Sequence, residues 1–252
     1  MSVDPLISII TVCFNSDSTI KNTIDSVLYQ TYPNIEYIII DGKSTDNTID
    51  IVKKYQDEIS IFLSEPDNGI YDAMNKGIDV ATGDIIGILN SDDFYSDDRV
   101  IERIVEKFND KNVDSVFANL IYVSSKNVNK VVRYFDSSQF KPDLFSYGLM
   151  PAHPTFFVKK SIYKKYGKFR TDLKNAADFD LMARFLYLNR VSYCYFDKVI
   201  VIMRMGGVST SFSSMWTNNI EILNACKVNK IKTNAFKILL RYVFKALTLF
   251  KR

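Results

Sequence analysis

The chain has 252 residues, of which 47% are hydrophobic and 13% aromatic, so it can bury a large core, which excludes a wholly disordered protein. Charged residues make up 24% and interrupt every apolar run before the roughly 18 residues that a membrane-spanning helix requires. The first residues lack the basic region and cleavage site of a signal peptide, and the three cysteines are isolated from one another. We therefore expect a cytoplasmic protein with reduced thiols and no disulfide or zinc framework.

The formal net charge of +3 conceals an uneven distribution. From Asn224 onward there are eight basic residues and no acidic one, whereas residues 1–223 carry 24 basic and 29 acidic side chains. A general nucleic-acid-binding protein spreads its positive charge over the surface of the fold. The acidic body therefore argues against a nucleic-acid partner, and the basic C-terminal segment needs a separate explanation.

The first third of the chain alternates between two kinds of pattern. Residues 6–14, 35–40 and 85–89 are nearly continuous apolar runs, which predict strands buried on both faces. Residues 18–30 and 47–55 place their apolar side chains on one side of a helix. This alternation predicts an α/β fold with a mostly parallel central sheet, and ligands are expected at the carboxyl ends of its strands.

The regular alternation stops after the next predicted helix, at residues 101–108. Beyond it the pattern predicts a mixed or antiparallel part with more loop. Its elements are strands at 115–123 and 130–135, a loop over 136–154, helices at 160–166 and 178–188, and one or two strands within 193–204.

Two of the predicted strands end in acidic residues. Asp41 begins the segment DGKSTD, where its carboxylate either accepts hydrogen bonds from a ligand or forms an Asp-Gly turn, and Asp46 is interpreted as a helix N-cap. Asp92 and Asp93 directly follow the strand at 85–89. Because adjacent carboxylates repel each other, a shared Mg²⁺ or Mn²⁺ ion explains this pair better than a structural role does.

Two further carboxylates, Asp178 and Asp180, lie in the segment AADFDLMARF. Alanine neighbours would reduce the solvation of the Asp178 carboxylate, which suits a general base. The alternative makes Asp178 the N-cap of the following helix, with Asp180 in its first turn. Taken alone, these residues favour the N-cap.

Five motifs, in order, resemble those of glycosyltransferase family 2. They are TVCFN, IIIDGKSTDNT, EPDNGIYDAMNKGI followed by ATGD, LNSDDFY, and AADFDLMARF. The resemblance covers about residues 6–205 and is strongest from 64 to 95. It implies a GT-A fold, in which a Rossmann-like nucleotide-binding half joins an acceptor-binding half, and a nucleotide-diphospho-sugar donor.

The resemblance implies roles for the residues at matching positions. Thr11 and Asp41 match the positions that contact uracil, although Gly42 replaces the second aspartate of the family's pattern. The other implied donor-binding residues are Asn15, Asn75, Lys76, Gly77, Ser91, Asp92 and Arg204.

The resemblance also implies the metal-binding and catalytic residues. Asp92 and Asp93 match the pair that holds ribose and the metal diphosphate, with Asp93 as the direct metal ligand, while Asn90 replaces the first aspartate of the family's DxDD. Asp178 matches the general base, although Ala177 replaces the glutamate before it. In this context Asp178 is interpreted as the base and not as an N-cap.

The segment MPAHPTFF contains His153, the only histidine. We interpret it as a ligand of the metal or of an acceptor hydroxyl, against a purely structural role, and Asp180 as a further acceptor residue. Arg204 and the glycine-containing residues 206–209 are predicted to close over the donor diphosphate, and a tight turn is the alternative.

Residues 236–252 predict a basic amphipathic helix with Lys237, Arg241 and Lys245 on one face. Such a helix binds an anionic membrane surface. The alternatives are docking on the acidic body and a homodimer interface.

Together these features predict a GT-A domain over residues 1–212, with a nucleotide-sugar half over about 1–95 and an acceptor half over about 96–212, followed by a basic helical tail over 213–252. The expected reaction is inverting, non-processive transfer of one hexose from a UDP-sugar, with Mn²⁺ or Mg²⁺ as cofactor. The expected acceptor is a glycan hydroxyl, on a polyprenyl-diphosphate-linked sugar in surface polysaccharide assembly at the inner face of the bacterial cytoplasmic membrane.

Processive synthesis is not expected, because processive family members carry a QxxRW motif and the only tryptophan here, Trp216, lies in SSMWTNN. The alternatives are a catalytically inactive membrane adaptor of the same fold and a sugar nucleotidyltransferase. The glycine-rich loop of the latter is missing after the first strand, where this chain has FNSDSTI.

Overall fold

The computed structural model describes residues 4–206 and 212–249, without the side chains of residues 111, 212–215 and 244–249. In this part of the chain, nine strands form one sheet with helices on both faces. The strands are β1 (Ile7–Cys13), β2 (Ile35–Asp41), β3 (Ile61–Ser64), β4 (Ile85–Ile88), β5 (Phe94–Tyr95), β6 (Ser115–Ser124), β7 (Asn127–Phe135), β8 (Phe157–Lys159) and β9 (Tyr193–Arg204).

The helices follow the chain order between and after these strands. They are α1 (Ile20–Leu28), α2 (Thr48–Lys53), α3 (Ile70–Val80), α4 (Val100–Lys111), α5 (Lys160–Tyr166), α6 (Ala177–Met182), α7 (Phe212–Val228) and α8 (Ala235–Leu249). A π-helical segment, Ala183–Leu188, continues α6, and two 3₁₀ helices span Pro142–Tyr147 and His153–Thr155.

The first four strands form the parallel part of the sheet, in the order β3-β2-β1-β4. Ile7 of β1 is level with Ile35 of β2 and with Ile85 of β4, and Cys13 at the end of β1 is level with Asp41. The apolar runs and their alternation with helices correctly predicted this arrangement. All four strands therefore end at the same edge of the sheet, where their loops meet.

The second half of the sheet is mixed, as its irregular pattern predicted. β6 is antiparallel to β7 and β8 but parallel to β9, and β8 also pairs antiparallel with β4, which joins the two halves. The sequence analysis placed α7 within its helical tail over 213–252, but it assigned neither the short strands β3, β5 and β8 nor the helix α3. Strands of two to four residues are too short to show a period.

The core lies on both faces of the sheet. Alternate side chains of β1 contact the two faces: Ile7 and Ile9 belong to a cluster with α1 and α4, and Ile10 and Val12 to a cluster with α3, α6, α7 and α8. The helices after residue 212 are thus packed on the same core as the rest of the domain. In the described residues, none of the helices is both long enough and apolar enough to cross a membrane.

The C-terminal helix α8 docks on the body, which corrects part of the expected basic face. Ile238 is 1% exposed and Arg241 only 3%. A Cβ atom on Gly148 would lie 3.3 Å from Ile238 Cδ1 and 3.4 Å from Arg241 Cδ, so α8 packs tightly over this turn. Lys237 lies over the ring of Tyr147, 5.3 Å from its centroid. Arg241 is therefore not available to a membrane.

Docking of α8 predicts a difference between two neighbouring residues. Ile238→Ala is expected to lower the free energy of unfolding by about 2–5 kcal/mol, because it opens a cavity in the core. The control Leu239→Ala, at a side chain that is 50% exposed, is expected to change it by less than about 0.5 kcal/mol. Urea denaturation measures both, and equal effects would contradict the docked position of α8.

Candidate active site

A cleft of about 690 Å³ lies at the carboxyl ends of the parallel strands. This volume falls within the roughly 300–1,000 Å³ that is usual for small-molecule sites. Its wall is formed by the loops after β1, β3 and β4, by the start of α3 and by α6. Of the predicted site residues, those on this wall are Asn15, Ser91, Asp92, His153 and Asp178.

The carboxylate of Asp178 is the most extensively contacted acidic group of the cleft. Its Oδ2 lies 3.2 Å from Nδ1 of His153, and its Oδ1 accepts hydrogen bonds from the Tyr71 hydroxyl at 3.4 Å and from the Phe179 N–H at 2.7 Å. The side chain is 15% exposed. Asp178 thus faces the cleft in a fixed orientation, with His153 beside it.

Asp178 is not the N-cap of its helix, since α6 begins at Ala177 and has Ala176 in the N-cap position. Glu221 of α7, from a distant part of the chain, instead holds the three residues that lead into α6. Its carboxylate accepts hydrogen bonds from the N–H groups of Lys174, Asn175 and Ala176, at 2.7 to 3.0 Å. A carboxylate at a helix N-terminus is stabilising, so α7 fixes the start of the helix that carries Asp178.

Tyr71 is a site residue that the sequence analysis missed. Burial and the nearby charge of Asp178 raise its pKa well above the usual value for tyrosine. The hydroxyl therefore stays protonated and donates a hydrogen bond to the carboxylate. Its ring stacks on Phe169, with 5.6 Å between the centroids. Position in the first turn of α3, directly after the Gly69 turn, was the available sequence signal.

Two of the implied donor-binding residues on α3 hold neighbouring segments and do not line the cleft. The side-chain amide of Asn75 bonds both the N–H and the C=O of Phe169, each at 2.9 Å. Lys76 donates to the carbonyl of Pro66 at 2.8 Å and pairs with Glu65 at 2.8 Å. Both residues therefore support the segments that border the cleft.

A third, Gly77, permits close packing of α3 on β1. A Cβ atom at this position would lie only 2.4 Å from the Ile10 side chain. The glycine thus allows the helix to approach the sheet.

The two implied uracil contacts, Thr11 and Asp41, are both fully buried and lie off the cleft wall. The Thr11 hydroxyl is 3.1 Å from the hydroxyl of Tyr37. The Asp41 carboxylate accepts hydrogen bonds from the N–H and hydroxyl of Ser44 and from the hydroxyl of Ser64. Its oxygens are thus engaged within the loop that follows β2.

Asp92 and Asp93 differ in their surroundings. Asp92 lines the cleft, whereas Asp93 is fully buried. Burial raises the pKa of both carboxyl groups, and the charge of Asp92 raises that of Asp93 further. Arg204 donates a hydrogen bond to the carbonyl of Asp92 and lies over the ring of Phe94. The expected closing loop continues into residues 207–209, which lie outside the described residues.

The unpaired oxygens around Asp93 fit a cation. Within the described residues, neither carboxylate oxygen of Asp93 has a hydrogen-bond partner, and the side-chain oxygen of Asn90 has none either. Oxygen ligands of this kind are what Mg²⁺ and Mn²⁺ prefer. No three His, Cys, Asp or Glu side chains gather into a metal-binding group in the part of the chain that is described, so His153 does not complete such a set.

The structure places Asp180, the second expected acceptor residue, in a buried network away from the cleft wall. It is 1% exposed and accepts a hydrogen bond from Asn229 at 2.8 Å. The guanidinium groups of Arg170 and Arg184 lie 3.7 and 3.6 Å from its carboxylate. Because buried charges need such partners, these contacts account for Asp180 as a link between α6 and the turn after α7.

The chain is similar in sequence to known glycosyltransferases and polysaccharide synthases. An uncharacterized glycosyltransferase of Rickettsia typhi is 30% identical over 93% of this chain and 78% of its own length. A chondroitin synthase of Pasteurella multocida is 28% identical over 75% of this chain, which spans only 20% of that protein.

Solved structures share the fold. TarS of S. aureus in complex with UDP-GlcNAc superposes with a TM-score of 0.72 at 20% identity, over 94% of this chain and 71% of that one. A mannosyltransferase of Pyrobaculum calidifontis in complex with GDP-Man and Mn²⁺ gives a TM-score of 0.66 at 18% identity, over 95% and 69%. The family model described as Glycosyl transferase family 2 matches residues 8–171. The chain therefore belongs to glycosyltransferase family 2 and has its GT-A fold.

Proposed function

We propose that the protein transfers a single hexose from a UDP-sugar to a hydroxyl group of a glycan acceptor, with inversion at the anomeric carbon. The observation that carries this proposal is the fixed carboxylate of Asp178 in the same cleft as Asp92. An inverting displacement needs a base on the acceptor side and charge neutralisation at the leaving diphosphate. The cleft offers a group for each.

In the proposed reaction the acceptor oxygen attacks the anomeric carbon as the bond from that carbon to the diphosphate breaks. Asp178 takes the proton of the acceptor hydroxyl. Tyr71 and His153 position its carboxylate through the contacts at 3.4 and 3.2 Å, so one orientation is available before substrate binds. The imidazole of His153 also borders the space beside the base, where it can contact the acceptor.

Asp93, Asp92 and Asn90 are the residues that would hold a divalent cation, Mn²⁺ or Mg²⁺. When bound, the cation supplies positive charge to the diphosphate of the donor. The buried carboxylate of Asp93, whose oxygens find no partner among the described residues, supports this assignment. Arg204 adds a second positive charge at the same end of the cleft.

The acceptor we propose is a polyprenyl-diphosphate-linked sugar, reached from the cytoplasmic face of an anionic membrane. The supporting feature is a row of exposed apolar residues on α8, Phe236, Leu239 and Val243, at positions that fall on one side of a helix. The exposed lysines Lys227 and Lys232 lie nearby in the chain, within a segment free of acidic residues. Apolar and basic groups together bind anionic lipid surfaces.

Replacement of the proposed base separates chemistry from donor binding. Asp178→Ala is expected to reduce transfer at least about 10³-fold, while UDP still binds with nearly the wild-type affinity, because the base acts on the acceptor. The assay measures UDP release from a panel of UDP-hexoses with Mn²⁺, with and without a diphospho-lipid-linked sugar.

Equal loss of transfer and of UDP binding would remove the assignment of Asp178 as the base. A wild-type protein that binds UDP but transfers from no donor in the panel would favour the alternative of an inactive adaptor.

Removal of the buried Asp93 charge is expected to stabilise the metal-free protein. Burial and the charge of Asp92 raise the pKa of Asp93 in the folded state. Above the usual pKa of aspartate, folding therefore either takes up a proton or buries a charge, and both cost stability that returns as pH falls toward that usual pKa. Asp93→Asn should therefore raise the Tm, by about 2–4 °C for each kcal/mol recovered.

The same variant should lose most of the rise in Tm that Mn²⁺ and UDP give the wild type. The control is Asp97→Asn: the pKa of Asp97 is lowered despite its partial burial, by hydrogen bonds from the Arg99 N–H and from Arg103, so this change should lower the Tm. A lower Tm in Asp93→Asn would refute the argument that the buried carboxyl group of Asp93 destabilises the metal-free protein.

The proposed membrane contact is tested by flotation with vesicles that contain phosphatidylglycerol. The double variant Phe236→Ser, Leu239→Ser should bind at least about tenfold more weakly than wild type, because each large apolar side chain contributes about 1.5–3 kcal/mol when buried. The control Val131→Ser changes an exposed apolar residue on β7 and should bind like wild type. Wild-type protein that stays with the aqueous phase would exclude the contact.

A further inference from the structure

The carboxylate of Asp67 occupies the space that a side chain at position 42 would fill. A Cβ atom on Gly42 would lie 2.5 Å from Oδ2 of Asp67 and 3.4 Å from the ring of Phe14. The pattern that this chain resembles has an aspartate at position 42. The carboxylate missing from the loop after β2 is therefore supplied at the same place by the segment after β3.

Three hydrogen bonds fix the position of Asp67 and the residues before it. Oδ1 of Asp67 accepts the N–H of Gly69 at 2.8 Å. Lys76 binds the carbonyl of Pro66, and the N–H of Glu65 donates to the carbonyl of Asp41 at 3.0 Å. No donor among the described residues bonds Oδ2. Asp67 lines the cleft, so Oδ2 is a fixed and free acceptor within it.

The neighbouring carboxylate, Asp41, cannot serve in this way. It is fully buried, it lies off the cleft wall, and its oxygens already accept hydrogen bonds from Ser44 and Ser64. Asp67 is thus the carboxylate that this end of the sheet presents to a ligand.

The order of the strands separates Asp67 from the end of the cleft that Asp92 lines. Asp67 and Gly42 follow β3 and β2, whereas Asp92 follows β4, on the other side of β1. Two strand spacings of about 4.8 Å separate the ends of β2 and β4, roughly 10 Å. A carboxylate next to the diphosphate would repel it, but at this distance it can bind a base. The ring of Phe14, which is 61% exposed, offers a surface on which that base stacks.

We propose that Asp67 determines which nucleobase the enzyme accepts: its Oδ2 accepts the ring N–H of a base stacked on Phe14, which in the donor is N3–H of uracil. This inference rests on the proposed UDP-sugar donor. Cytosine has no hydrogen on N3 and presents a lone pair there, so the carboxylate repels it.

Calorimetric titration with UDP, CDP and GDP in the presence of Mn²⁺ tests the assignment. Wild-type protein is expected to bind UDP at least about tenfold more tightly than CDP, because a hydrogen bond to a charged group is strong enough to change affinity by that factor. Asp67→Ala should remove this preference. The double variant Gly42→Asp, Asp67→Ala should restore it, because the new side chain enters the vacated space.

The matched control is Asp57→Asn, which removes an exposed carboxylate that does not line the cleft, and it should keep the preference. Thermal unfolding of each variant verifies folding, and the double variant shows that any loss at Asp67 is reversible.

A preference for UDP over CDP that survives in Asp67→Ala overturns the assignment. A wild-type preference for GDP that Asp67→Ala removes overturns the uridine donor while it supports Asp67 as the residue that reads the base. A wild-type protein that binds none of the three overturns both.

Discussion

The architecture depends on the pairing of β1 with β2 on one side and with β4 on the other, all three strands parallel. Parallel pairing in this register brings three loops to one edge of the sheet, although the strand ends at Cys13, Asp41 and Ile88 are 28 to 75 residues apart in the chain. The strands can be buried on both faces because they are almost wholly apolar. Polar groups are thereby concentrated at the strand ends, and the cleft forms where they meet.

The part of the cleft that contains Asp178 is supported by helices from the C-terminal end of the chain. Asp178 lies on α6, Glu221 of α7 bonds the residues that lead into this helix, and α7 in turn packs against α8. The buried contacts of Asp180 with Asn229 strengthen the same joint. The C-terminal helices therefore have a structural part in the site, besides any contact that α8 makes with a membrane.

Electrostatics divide the cleft into zones. At the end of β4, two carboxyl groups with raised pKa values lie beside Arg204. At the end of β3, the single carboxylate of Asp67 lies beside an exposed aromatic ring. Near α6, Asp178 is held between Tyr71 and His153. The proposed reaction assigns the nucleobase to the zone at β3, the diphosphate to the zone at β4 and the acceptor sugar to the zone at α6.

Helix α3 carries most of the motif EPDNGIYDAMNKGI, and it acts mainly as a support for the segments around the cleft. Asn75, Lys76 and Gly77 hold Phe169, the segment before Asp67, and β1. A motif thus marks an element that positions the site as readily as one that touches a ligand. The side chains of α3 that line the cleft, such as Tyr71, lie in the first turns of the helix.

The sequence by itself determined the α/β class, the parallel first half, the mixed second half and the position of Asp92 after a strand, because apolar periodicity and the chemistry at strand ends are local properties. For Asp178 the residues alone favoured an N-cap, and the role of base came from the family resemblance. Only the tertiary structure decided which neighbours those side chains have. It paired His153 with Asp178, bonded Asp41 to Ser64, packed Arg241 of α8 against Gly148 and brought Asp67 over Gly42. These outcomes depend on contacts between residues 23 or more positions apart, which no local pattern encodes.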